Sequence, residues 1–149
     1  MSAISEAPPT QVYHVFIKST PERIWEAITT PEQTRRYFHG AAISVSDGKY
    51  ISHGPNGDVW GDEAVIEADP PRRLVHGWRS LYDPEMGAEP ASRVTWEIEP
   101  REPGVCKVTV THDRLEESPR TRGSVYGAGW MFVLSGLKTL LETGESLSA

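Results

Sequence analysis

The sequence predicts an α+β fold in which a curved antiparallel sheet of about seven strands carries two short helices after strand 1 and a long C-terminal helix over its concave face. Three observations carry this reading. Apolar residues alternate with period two between residues 40 and 115, two proline-led amphipathic stretches follow each other between residues 20 and 38, and an apolar stripe at three- and four-residue steps closes the chain.

Residues 1–10 are small, polar and proline-containing and read as a disordered terminus, which leaves residues 11–149 as a single domain. QVYHVFIK is rich in β-branched and aromatic residues, has no breaker, and reads as the first strand. Thr20-Pro21 then supplies an N-cap and a first-turn proline, and Ile24, Ala27 and Ile28 recur at helical spacing. Thr30-Pro31 repeats the signal, with Gln33 completing a capping box. The second helix is therefore separate from the first and runs toward Tyr37-Phe38.

Turn signals at Asp47-Gly48, Pro55-Asn56-Gly57, Pro70-Pro71, Pro84 to Pro90 and Pro100 to Gly104 divide the next segment into a meander. Val94, Trp96 and Ile98 alternate with Thr95, Glu97 and Glu99; Val108, Val110 and His112 form a similar row, and Leu74, His76 and Trp78 share one face of a third strand. Ser118-Pro119 opens the last helix. Its stripe is Trp130, Val133, Leu134, Leu137, Leu140 and Leu141, and Gly144 stops it. Gly123, Gly127 and Gly129 weaken its first half, where an irregular start or a kink is expected.

Composition narrows the function. With 38% hydrophobic and 24% charged residues in 149, the chain can bury a core and is neither disordered nor a membrane span. No secretory signal pattern opens it, and the single Cys106 agrees with a reducing compartment, so a cytoplasmic location is expected. A net charge of −6 without a basic stripe argues against nucleic acid and anionic lipid as partners. The five histidines lack ligand spacing, no glycine loop cradles a phosphate, and no nucleophile elbow is present, so no metal, cofactor or catalytic residue is assigned. Cys106 reads as a buried structural thiol.

One helix cannot fill the concave side of so large a sheet, so a cavity is expected beside it. Trp60, Trp78, Trp96, Tyr126 and Trp130 are its candidate wall, although inward residues of this kind more often serve as plain core. Tyr37 and Phe38 suit either the cavity mouth or a clamp joining the helix pair to the sheet. His76 and His112 fall on inward faces, where an imidazole orients a ligand, acts as a base, or is simply satisfied by a neighbour. Asp62 and Glu63 lie on a neighbouring strand.

Four segments in order, STPERIWEAITTPEQTRRYF, DPPRRLVHGW, SRVTWEIEPREPGVCKVTVTH and GWMFVLSGLKTLLETG, resemble the activator of heat-shock-protein ATPase homologue family, over roughly residues 11–144. That family, here in its stand-alone C-terminal-type form, belongs to the START-like (SRPBCC) helix-grip superfamily. The resemblance implies a helix-grip fold with an internal cavity that holds a lipid, sterol, polyketide or other aromatic molecule. The expected function is binding of such a small apolar ligand as carrier or sensor. The alternatives are a cavity enzyme of the polyketide cyclase/hydratase type using His76, His112 or Asp62, and a co-chaperone-like interaction module. A chaperone partner is implied by the namesakes, whose additional N-terminal docking domain has no counterpart in this sequence. Ligand identity and oligomeric state are not legible.

Overall fold

The structure, a computed structural model, describes residues 7–148. Most of the terminal segment expected to be disordered, residues 1–6, lies outside the described residues. Within the remainder Ala7 is buried, and Gln11 Nε2 donates to the Pro8 carbonyl at 3.2 Å.

The elements run β1 (Gln11–Ile17), α1 (Pro21–Thr29), α2 (Pro31–Thr34), β2 (Ala42–Ser46), β3 (Lys49–His53), β4 (Val59–Asp69), β5 (Arg73–Trp78), α3 (Pro84–Gly87), β6 (Ser92–Glu102), β7 (Val105–Asp113), α4 (Pro119–Val125) and α5 (Ala128–Thr143). Seven strands form one open sheet in the order β1-β7-β6-β5-β4-β3-β2, every neighbouring pair antiparallel. Hairpins join β2 through β7 in sequence. Only the passage from β1 to β2 crosses from one edge to the other, and α1 and α2 fill it. Register shifts at Ser52/His53, Val65/Glu67 and Pro100/Glu102 mark bulges, which add local bend and twist to strands that must curl around a helix.

The helix pair forms as the prolines dictate, although Thr30 plays a different part from the expected capping box. Thr20 Oγ1 accepts from the Arg23 amide at 3.2 Å and caps α1. Thr30 is extended (φ −120°, ψ 136°), so α1 and α2 are separate helices, but its hydroxyl donates back to the Glu26 carbonyl at 2.8 Å. One residue ends one helix and begins the next, and both its amide, at 3.1 Å, and its hydroxyl donate to the same Glu26 carbonyl of the first. Thr34 then ties the pair to the sheet: its buried hydroxyl donates to the Ala41 carbonyl and accepts from the Ile43 amide, both at 2.9 Å.

The last helix is broken, not continuous from Ser118. Gly127 takes φ 62° between α4 and α5, and its amide donates to the Tyr13 hydroxyl at 2.7 Å, which anchors the break on β1. Ser118 does not cap α4 with its side chain, which donates instead to the Pro90 carbonyl at 2.9 Å. A carboxylate remote in sequence takes that role: Glu89 accepts from the amides of Arg120 and Thr121, each at 2.9 Å. Helix α5 buries Trp130, Val133, Leu134, Leu137, Leu140 and Leu141 against the concave face and ends at Gly144, whose amide donates to the Leu140 carbonyl at 2.8 Å. Gly136 lets α5 approach closely, since a methyl there would sit 3.0 Å from Tyr37 Cβ. The short helix α3 in the β5–β6 connection was not anticipated; Asp83 Oδ1 caps it by accepting from the amides of Glu85 and Met86.

Candidate functional site

A pocket of about 410 Å³ lies on the concave face where the β2–β5 end of the sheet passes beyond the cover of α5. Alternation and pairing place its walls. Ile43 opposes Ser52, Ser52 opposes Gly61, and Tyr50 opposes Glu63, so these residues share the concave face. Trp60 and Trp78 add indoles, Phe38 closes the side nearest the helix pair, and Ser124 and Gly129 border it from the terminal helices. The exposed His39 and Tyr82 stand on its solvent side, with Tyr82 5.3 Å from Trp60 between ring centres. Gly54 allows Trp60 its position: a Cβ on Gly54 would fall 2.2 Å from the indole. A cleft of about 100 Å³ adjoins the pocket and brings in Val125, Trp130 and Val133.

The residues expected at the cavity separate into three groups. Phe38, Trp60 and Trp78 border the main pocket, and Trp130 borders the adjoining cleft. Trp96, His76 and His112 border neither; they form the solid wall behind, each 1% exposed or less. Tyr37 is buried under α5, its hydroxyl donating to the Ala27 carbonyl at 2.7 Å, and it reaches a different cleft beside the C-terminal segment. Tyr126 is half exposed in the α4–α5 connection and borders neither the pocket nor its neighbour. Asp62 points to solvent and pairs with Lys49 at 3.0 Å.

The wall behind the pocket is a network of two indole–imidazole pairs. Trp96 Nε1 donates to His76 Nε2 at 3.3 Å, which leaves His76 Nδ1 as the donor to the Gly77 carbonyl at 2.7 Å. Trp130 Nε1 donates to His112 Nδ1 at 3.1 Å, so His112 Nε2 carries the proton toward Ser92 Oγ at 2.8 Å, and Ser92 passes its own to the Trp78 carbonyl. Each ring therefore has one fixed tautomer with both nitrogens engaged. Burial lowers His76 to about 4, against the smaller pull of its bond to Gly77. Burial, with a contribution from the His76 charge, lowers His112 to about 3. Tyr50 stacks on His76 at 3.6 Å between ring centres and seals that side.

One pair of opposite charges, Glu63 and Arg79, lines the pocket. Glu63 is only 13% exposed in its side chain, and Arg79 reaches within 3.4 Å of its Oε2. That approach lies within ion-pair reach yet outside hydrogen-bond geometry, and Arg79 Nε has no partner among the described residues. Ser52, Ser80, Ser124, His39, Tyr50 and Tyr82 also line the pocket. Sequence reasoning named Glu63 only as a neighbour of Asp62 and missed Arg79, Tyr50, Ser52, Ser80, Tyr82 and His39. The usable signal for Glu63 was alternation in WGDEAV, which sets Asp62 and Glu63 on opposite faces without saying which one is inward.

Elsewhere the described residues hold no cluster of three metal-ligating side chains, and none of their helices is long and apolar enough to cross a membrane. Cys106 is buried, its Sγ 3.4 Å from the Ser19 carbonyl, and burial raises its thiol above the ordinary value.

The family model described as Activator of Hsp90 ATPase homolog 1-like protein matches residues 18–142. The chain belongs to this family. Its fold is shared with protein MLL2253 from Mesorhizobium loti, at 22% identity and a TM-score of 0.72 over 89% of this chain and 96% of that one. It is shared also with the Aha1 dimer from Colwellia psychrerythraea, at 21% identity and a TM-score of 0.70 over 92% and 98%. DynU16, from the dynemicin biosynthetic locus, matches at 23% identity and a TM-score of 0.74, with 93% of this chain covering 49% of that one. No curated protein matches the sequence. At these identities the structural likeness carries the fold, so within this Activator of Hsp90 ATPase homolog 1-like chain the site must be argued from its own residues.

Proposed function

We propose that this family member binds a small hydrophobic, ring-containing molecule in the pocket between the β2–β5 end of the sheet and the terminal helices, as a carrier or sensor. The observation that carries this reading is the aromatic pocket itself. The aromatic core behind it is packed and hydrogen-bonded, yet Trp60, Trp78, Phe38 and Tyr50 line open volume of the size that small-molecule sites use, about 300–1,000 Å³. A compact molecule with flat faces suits these walls better than an extended chain.

The two buried imidazoles argue for binding over chemistry. Both nitrogens of His76 and of His112 are occupied by protein partners, and neither ring touches the pocket, so neither is placed to take a proton from a ligand. In this chain the pocket offers one carboxylate, Glu63, and one imidazole, His39, which stands on its solvent side.

Tryptophan fluorescence titration with naphthalene, a sterol and a fatty acid tests the proposal. Saturable quenching by the aromatic, weakened at least about tenfold in Trp60→Ala, is expected. Absence of saturable binding by all three would remove the reading.

A further inference from the structure

Every polar atom at the pocket invites a role, and Glu63 stands out. A carboxylate on the core-facing side of a sheet normally accepts several hydrogen bonds. Among the described residues no group donates to Glu63 within hydrogen-bond geometry, although its side chain is only 13% exposed and Arg79 lies 3.4 Å away. Gly77 makes room for it: a Cβ there would stand 2.8 Å from Glu63 Oε1 and 3.1 Å from Glu63 Cβ. The sheet thus leaves a strand position without a side chain beside a carboxylate that none of the described residues hydrogen-bonds.

We infer that Glu63 is the polar anchor of the pocket and that its ligand is a neutral aromatic bearing a hydroxyl group, which donates to the Glu63 carboxylate while the rings lie against Trp60 and Trp78. This rests on the proposed binding function and deepens it. A carboxylate only accepts, so the ligand atom that meets it must carry a hydrogen. The charges at this end balance, one from Glu63 and one from Arg79, so an anionic ligand would enter with no cation left to neutralise it. Fatty acids and aromatic acids are therefore rejected, and hydroxylated rings are preferred over bare ones.

Calorimetric titration of the full chain at pH 7 with naphthalene, 2-naphthol and 2-naphthoate separates these terms. Wild type should bind 2-naphthol about tenfold or more tightly than naphthalene, as a hydrogen bond to a charged acceptor provides, and should bind 2-naphthoate weakest. Glu63→Gln should reduce the preference for the hydroxyl, leave naphthalene unchanged, and admit 2-naphthoate. Gly77→Ala keeps the carboxylate but forces it aside, and should erode the same preference, so the inference does not depend on one variant folding. Equal affinity of wild type for 2-naphthol and naphthalene would overturn this inference while leaving the pocket in place, as would tightest binding of 2-naphthoate or an unchanged preference in both variants. Failure of all three probes to bind would overturn the pocket reading and this one with it.

Discussion

Trp130 on helix α5 donates its indole hydrogen to Nδ1 of His112 on β7 at 3.1 Å, so the terminal helix fixes the tautomer of a strand residue it covers. The Trp96–His76 pair repeats the arrangement on β6 and β5. Protonating either imidazole would set a second N–H against the indole N–H, at rings that are fully buried.

Acid should therefore weaken the fold earlier than its carboxylates alone would. Both histidines are held below the ordinary 6.5, at about 4 and about 3. The unfolded chain takes up protons that the folded chain refuses, so their stabilisation is whole above about pH 6.5 and declines as pH falls toward those values. Within that window each group lowers stability by up to about 1.4 kcal/mol per pH unit. Urea unfolding at pH 7 and pH 5 should show the loss, and His112→Gln should be less stable at pH 7 but lose less on acidification. Parallel losses in wild type and variant would refute the account.

Trp96→Ala should behave as a core truncation. The side chain is 1% exposed and hydrogen-bonded, so a loss of about 3–5 kcal/mol is expected, with His76 Nε2 left unpaired besides. Trp60→Ala, at the pocket wall, should cost clearly less stability and more ligand affinity. Denaturant midpoints of the two variants, compared with their titrations, check the contrast; a reversed order would place the open volume on the wrong tryptophan.

Thr34→Val keeps shape and removes the hydroxyl that joins Ala41 and Ile43 across the helix–sheet junction. Two buried backbone groups lose their partner, so a destabilisation of about 1–3 kcal/mol is expected by chemical denaturation. A neutral substitution would show that the junction holds by packing alone.

Glu89→Gln should weaken the start of α4. The wild-type carboxylate accepts from two helix amides and from the Thr121 hydroxyl at 2.7 Å; burial works against its charge, and these bonds outweigh burial and lower its pKa. The expected loss is about 1 kcal/mol at pH 7, shrinking as pH falls through the carboxylate range because the wild-type charge is then lost as well. Amide exchange at Arg120 and Thr121 reads it locally, and unchanged protection there would rule out the cap.

Much of this was determined by sequence. Alternation in residues 92–99 and 105–112 places Val94, Trp96, Val108, Val110 and His112 on one face, because strand geometry leaves each residue only two directions. Thr30-Pro31 separates two helices because proline removes an amide and bars helical geometry before it. Depth is another matter. Trp78 and Trp96 both face inward, yet one borders open space and the other is sealed, and that difference depends on where α5 ends its cover of the sheet. Likewise the β3–β4 register, which sets Tyr50 opposite Glu63, turns Glu63 into the pocket and Asp62 to solvent. The Glu89 cap joins residues about thirty positions apart. Period and turn chemistry are local and survive in the chain alone; cover, register and long-range caps arise only when separate elements pack, and they decided which residues form the site.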